Sequence, residues 1–353
     1  MKRLLNWGVV AAACFAMGCE DDDPANTDVN LEPPPADQGF HFETPAFEVA
    51  QGVEQQDCYF FQVPGTPGTP MFLHKFEVKQ NVGSHHMNIF RVKTIKGLGP
   101  DTSPDRVVKS QNGTGECFKS PNWSDWPLVM NSQTDGLVDW TLPDGVANKF
   151  DGGEWLMLQT HYVNALTQTT PFRGKVEVNF WSVPAAQVTA ELGTIFATKQ
   201  SIRVCRANPT PKFSGTCNFG STNPTTIVGA NGHFHSRGKS FDMFQWDGTS
   251  TTEPPLADRF YQSSSWDEPP MLRSPQLSKQ VPAGSGLFYT CGFQWQEPPR
   301  GVTCADIDAA DKAKGTPDDQ LDCCYTFGGI VEKSEHCNAF VYYYPKSDNV
   351  ACF

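Results

Sequence analysis

Apolar and polar side chains alternate with a period of two in segments spread along the whole chain. They read MFLHKFEV (71–78), EWLMLQTHYV (154–163), KVEVNFW (175–181), KSFDMFQW (239–246), GLFYTCGFQW (286–295) and NAFVYYYP (338–345). That period places successive side chains on opposite faces of an extended backbone, so each segment is predicted as a half-buried strand. Aromatic and β-branched residues, which pack well on a pleated surface, dominate these runs. Thirty glycines and 28 prolines punctuate the chain too closely for many helices of ordinary length. Many short strands with turn-rich connections predict an all-β protein of antiparallel sandwiches rather than an α/β sheet. One polar, acidic stretch, 296–324, interrupts the pattern and contains Cys304, Cys323 and Cys324. It is expected to be a loop pinned by disulfides.

The two ends of the pattern differ from its middle. Met1-Lys2-Arg3 is a short basic start, Leu4 to Met17 is almost entirely apolar, and Ala16-Met17-Gly18-Cys19 puts small residues before a cysteine. This reads as a bacterial lipoprotein signal, 1–18, with Cys19 as the acylated first residue; an ordinary cleaved secretory signal is the other reading. Both imply export, to a periplasm or a cell surface, and the apolar run is short for a membrane span. Residues 20–37 carry seven acidic side chains, no basic ones and four prolines. Such a composition cannot bury a core, so 19–40 is expected to be a solvated acidic tether. Loss of Lys2 and Arg3 with the signal takes the net charge from −12 to −14, and seven of those charges sit in the tether. An acidic body argues against nucleic acid or anionic lipid as a partner.

Roughly 315 residues remain, enough for two domains of ordinary size, expected at 41–186 and 187–353. Of 12 cysteines, Cys14 leaves with the signal and Cys19 takes lipid. The remaining ten can form up to five disulfides in an exported chain. The chain has no Cys-x-x-Cys pair, which argues against a zinc ribbon or a thioredoxin-like centre.

Histidine is where chemistry enters. There are eight: 41, 74, 85, 86, 161, 233, 235 and 336. His233 and His235 in NGHFHSRGK share one strand face, with Phe234 opposite, which is either half of a metal site or a pair of surface histidines. Gln159 and His161 also share a face, making Gln159 a candidate outer partner of a ligand. His336, Asn338 and Phe340 share another face, and Cys337 points away from them. Adjacent His85 and His86 would normally face opposite ways. Pattern alone allows one ligand and one packed core histidine, or both at a bulge or strand end. Three imidazoles suffice to hold copper or zinc with a position left open, so six histidines could build two such sites. His41 and His74 look incidental.

The succession HHM, Q-x-H-Y, H-x-H and a C-terminal E-x-C-N segment running into Tyr-Tyr-Pro resembles the type II copper, ascorbate-dependent monooxygenases, the peptidylglycine α-hydroxylating and dopamine β-monooxygenase family. The resemblance extends over most of residues 50–353. It implies two tandem antiparallel jelly-roll sandwiches, each holding one copper, facing each other across a solvent-filled cleft. His85, His86 and His161 match the ligands of the electron-storing copper, and His233 and His235 match two ligands of the copper where oxygen binds. The resemblance also implies the disulfides Cys58–Cys117, Cys205–Cys352 and Cys291–Cys337, leaving Cys217, Cys304, Cys323 and Cys324 for two further bridges.

Three positions depart from that family. His336 stands where relatives carry a methionine ligand; imidazole is harder than thioether and favours Cu(II) or zinc. Asn231 replaces an arginine that grips a terminal carboxylate, and Phe340 replaces a tyrosine, which argues against peptide amidation; Asn338 is retained. The expected function is an exported two-copper monooxygenase that hydroxylates a C–H bond of a small organic substrate. It would act as a monomer with oxygen and an external reductant such as ascorbate, with His233, His235 and His336 at the reacting copper. The alternatives are a non-catalytic, surface-tethered copper or zinc protein, and a carbohydrate or adhesion module with incidental histidines.

Overall fold

The strands form where the period-two segments lie. The structure, a computed structural model, describes residues 29–92, 107–111, 127–133, 136–164 and 171–352. Strands Pro70–Gln80, Trp155–Val163, Val176–Val183, Gly238–Trp246, Gly286–Phe293 and Asn338–Tyr344 match the six predicted segments to within a few residues at each end. The chain is an all-β protein built from layered sheets.

Four principal sheets carry the fold. In the first half, one sheet runs Gly39–Glu43, Val176–Val183, Pro70–Gln80, Val146–Asp151, Ala190–Glu191, with Gly136–Thr141 also paired to Pro70–Gln80. Its companion runs Val107–Gln111, Glu54–Gln62, Trp155–Val163, Ser84–Arg91, Leu128–Ser132. Both contribute buried side chains to one core, among them Phe76, Val78 and Phe180 from the first sheet and Phe60, Ile89 and Leu158 from the second. In the second half, Gly193–Thr198, Asn338–Tyr344 and Thr225–His233 form one sheet. The other runs Arg259–Ser263, Gly238–Trp246, Gly286–Phe293, Lys212–Asn218, Ala351–Cys352. Ile227, Val341 and Tyr343 meet Phe241, Leu287 and Tyr289 in a second core.

The two cores touch. Val228, Phe340 and Tyr342 leave the second half to complete the first core, and Trp140 packs edge-on against Tyr342 at 5.0 Å. Hydrogen bonds close the same seam. Tyr342 Oη donates to Asn131 Oδ1 (2.7 Å), Asn131 Nδ2 donates to Asn231 Oδ1 (3.0 Å), and Trp140 Nε1 donates to Ser274 Oγ (3.2 Å).

Several expectations need correction. The second half begins at Gly193, not 187, because Ala190–Glu191 still pairs in parallel with Val146–Ala147 of the first half. Residues 29–38 of the expected tether are docked rather than free. Val29 is buried, Leu31 N–H donates to Glu177, and Asn179 Nδ2 donates to Glu32 O. Buried polar groups on Val176–Val183 use this segment's backbone as partners, which composition could not reveal.

The stretch 296–324 is not simply a loop, since it contains the helix Cys304–Lys312. Thr303 caps it reciprocally with Asp306: the Thr303 hydroxyl accepts from Asp306 N–H, and the Asp306 carboxylate accepts from Thr303 N–H (2.8 Å). Replacing Thr303 with alanine is expected to lower stability by about 1 kcal/mol. The urea midpoint measures this, and an unchanged midpoint would mean that the flanking disulfides alone hold the helix.

The cysteine pairing also departs from expectation. Cys291–Cys337 forms and links the two sheets of the second half. Cys205 does not join Cys352; the bridges are Cys205–Cys324, Cys217–Cys352 and Cys304–Cys323. Strand register is the reason. Lys212–Asn218 pairs with Ala351–Cys352 so that Cys217 lies opposite Cys352, while Val204 opposite Tyr325 brings Cys205 to Cys324. Cys58 is disulfide-bonded, and its expected partner Cys117 lies outside the described residues, as do Cys19 and the signal. Four disulfides among the described residues suit an oxidising, extracellular environment. No helix of the described residues is long and apolar enough to cross a membrane.

Candidate metal centre

The strand Ser84–Arg91 carries two adjacent histidines, and the register shows how both reach one side. His86 lies opposite His161, but Tyr162 lies opposite Ser84, so His85 is the extra residue of a bulge. A bulge breaks strict alternation and re-aims a side chain. The two rings stand 5.1 Å apart, both buried. Gln159, two residues before His161 on the neighbouring strand, accepts from Asn88 Nδ2 (3.1 Å).

His233 ends the strand Thr225–His233, opposite Asn338, and His235 follows just beyond it. The preceding Gly232 is needed for close approach, since a Cβ there would sit 2.5 Å from the Phe241 ring. Phe234 turns into the second core, so His233 and His235 stay on one side with rings 5.4 Å apart. His336 precedes the strand Asn338–Tyr344 rather than lying in it. Its ring is 4.3 Å from that of His235 and 4.9 Å from that of Phe327.

The six histidines form one contiguous cluster, not two sites across a cleft. His85 stands 5.0 Å from His161 and 5.0 Å from His233, and His86 stands 5.0 Å from His233, ring centre to ring centre. The hydrogen-bonded seam between the halves explains this closeness, as it brings Gln133 Nε2 to 2.8 Å from His233 Nδ1. His41 and His74 take no part. His41 bonds Asn179, and His74 bonds the Val146 carbonyl.

Two triads have ligand atoms within 4.8 Å of one another and could hold a metal ion: His85, His86 and His233, and His233, His235 and His336. His161, expected with His85 and His86, is in neither. Both of its nitrogens are engaged, Nε2 donating to Glu54 Oε1 (2.7 Å) and Nδ1 lying 3.3 Å from Gln56 Nε2. His233 from the other half stands in its place. The same Glu54 carboxylate accepts the backbone N–H of Val331 at 3.1 Å, so it joins the first half to the segment leading to His336.

The chemistry of these nitrogens fits a metal. His85 Nε2, His86 Nδ1 and His235 Nε2 are buried without a hydrogen-bond partner. A buried lone pair left unmatched costs free energy that an ion would recover. His235 Nδ1–H donates to Ser334 O (2.9 Å), which fixes its proton there and leaves Nε2 bare, as a ligand requires. Burial lowers the pKa of His85, His86, His233 and His235 well below the ordinary histidine range, and neighbouring imidazoles lower it further. Burial, with smaller effects from His161 and Lys314, pushes His336 down to about 3. All five are therefore neutral at physiological pH, the state that binds metal. Gln133 Oε1 is also buried without a partner. A half-turn of that amide would let it accept from His233 Nδ1–H and bare Nε2 for an ion.

A buried ion pair holds the second triad's supports. Arg237 Nη1 is 3.0 Å from Glu335 Oε1, and the same carboxylate accepts the backbone N–H of His235 (3.0 Å) and of Arg237 (3.1 Å). Arg237 also donates to Val331 O and Glu332 O, and stacks over Tyr325 at 3.6 Å. One carboxylate thus orients His235 and, through the chain, His336. Pattern reasoning missed Glu335, Arg237, Glu54 and Gln133 as parts of the centre. Only the first two carried a signal, being adjacent to His336 and two residues after His235. Asn338, also expected here, has a buried Oδ1 with no partner.

No protein-family model matches the chain, and no curated protein matches it. Among solved structures, the chain is similar to the N-terminal CBM22-1–CBM22-2 tandem domain of Xyn10C from Paenibacillus barcinonensis. That match is 12% identical and covers 86% of this chain and 83% of that one, with a TM-score of 0.16. An overlap that loose carries no argument about fold or function.

Proposed function

We propose that this chain is an exported copper monooxygenase, held to a bacterial membrane by lipid on Cys19, that hydroxylates a C–H bond of a small organic molecule. The observation that carries the reading is the gathering of six histidines from both halves at one buried seam, three with bare, unpartnered nitrogens. Imidazole sets of this kind suit copper or zinc, and the order of the histidine motifs resembles the copper family. On the same reading the two halves are jelly-roll sandwiches in tandem.

Copper, when bound, supplies one-electron chemistry with oxygen; one C–H hydroxylation consumes O2, two electrons and two protons and releases water. The electrons come from an external reductant. What the chain contributes is position and dryness. His233, His235 and His336 would hold the reacting metal, and His85 and His86 the second. Glu335 and Ser334 fix His235, while Phe327 and Trp266 cover His336 and His85.

Two side chains argue against a peptide terminus as substrate. Asn231 spends its amide on the seam, accepting from Asn131 and donating to Pro270 O (3.3 Å), and Phe340 stacks on Phe196 at 4.7 Å. Neither is available to grip a carboxylate, which favours a substrate other than a peptide terminus. Loaded with copper, the protein is expected to take up two ions per chain and to consume oxygen only when reductant and substrate are both present. Screening amine, phenol and peptide pools tests this, and absence of uptake with every pool would sink the catalytic reading.

A second reading, a non-catalytic binding protein, draws on one observation: both triads claim His233. A single tightly held ion, zinc or copper that does not cycle with mild reductant, would establish it instead.

A further inference from the structure

We propose that the centre exchanges a ligand as it fills. The first ion takes His85, His86 and His233 and ties the two halves together. A second ion, at His235 and His336, draws His233 away, and His161 leaves Glu54 to replace it beside the first. The inference rests on the metal-centre reading above and concerns how that centre is loaded.

Three observations support it. His233 belongs to both triads, yet Gln133 holds its Nδ1, so Nε2 alone is left to face either ion, and that atom is 3.1 Å from His336 Nδ1. One nitrogen lone pair serves one metal, so both triads cannot be complete at once. Among the described residues His161 is the remaining histidine beside this pair, its ring 5.0 Å from His85 and 4.7 Å from His86, but it is held back at both nitrogens. When His161 departs, the Glu54 carboxylate still accepts the Val331 N–H on both oxygens and is not left without a donor. The first triad also draws on strands of opposite halves, Ser84–Arg91 and Thr225–His233, so its ion acts as a clasp.

The test is Zn(II) titration of the full mature chain by calorimetry, with metal analysis after dialysis. Wild type is expected to bind in two steps. His161→Ala should leave the first step within a few-fold and weaken the second about tenfold or more; His233→Ala should weaken the first by about that factor. His161→Gln, which keeps a polar partner for Glu54, repeats the test in a variant less disturbed by the loss of the ring. Glu54→Gln, which loosens the hold on His161, should strengthen the second step. The proposal is overturned if His85→Ala and His161→Ala weaken one step while His233→Ala and His235→Ala weaken the other, whichever step comes first. That result would describe two independent sites, one per half, and would leave the metal-centre reading intact. A wild-type chain that takes up no Zn(II) or copper would overturn the metal-centre reading itself.

Discussion

Glu335→Ala is expected to destabilise the protein by about 3–5 kcal/mol, the cost of leaving one member of a buried ion pair without its partner. Glu335 is fully buried and Arg237 nearly so. The carboxylate accepts from the Arg237 guanidinium and from two backbone N–H groups, at His235 and Arg237. Removing it strands all three donors. Arg237 would keep the carbonyls of Val331, Glu332 and Ser334 and the Tyr325 ring, none of which cancels its charge. Glu335→Gln retains the shape and one acceptor oxygen and should cost less. Denaturant midpoints measure both variants. A loss under about 1 kcal/mol for Glu335→Ala would show that water or local rearrangement replaces the carboxylate. Metal binding supplies a second readout, since His235 and His336 flank this pair. Their triad should weaken in Glu335→Gln, whereas His85 and His86 should still bind.

Mild acid is expected to unfold the metal-free protein within about two pH units below 6.5. His85, His86, His233 and His235 are neutral in the fold because burial lowers their pKa, whereas unfolded histidine titrates near 6.5. Below that value the unfolded chain binds protons that the folded chain refuses. Each such group then removes about 1.4 kcal/mol of stability per pH unit, until the pH reaches its folded pKa. Four together exceed, over that range, much of the roughly 5–15 kcal/mol that holds a domain folded. His336 adds to the trend down to about pH 3. Glu335 and Glu332 run the other way, because burial raises their pKa and lets the folded state take up their protons first, but two groups do not offset four. Bound metal blocks protonation, so Zn(II) should shift the acid midpoint downwards. Tryptophan fluorescence against pH, with chelator and with Zn(II), checks this. A midpoint below about pH 4 that is unmoved by Zn(II) would count against the buried, metal-ready state of these histidines.

The parts of the fold legible in the chain are those that depend on local alternation. A strand with one face on a core must repeat with period two, and all six segments with that period became strands. Helix Cys304–Lys312 escaped notice because its short polar run has little apolar periodicity, although Thr303 and Asp306 at capping spacing were visible. The disulfides divide in the same way. Cys337 facing away from His336 could be read from alternation, but Cys217 opposite Cys352 depends on the register of strands 135 residues apart in sequence.

The centre shows where such reading ends. By itself the sequence determined the all-β class and the histidines worth watching, because composition and period act within a few residues. Tertiary structure decided their grouping. The seam closed by Gln133, Asn131 and Tyr342 brought His233 against His85 and His86, and the Glu54 carboxylate turned His161 away. These contacts join residues about 100 or more positions apart, and each depends on which sheet faces which, a relation that no local pattern encodes.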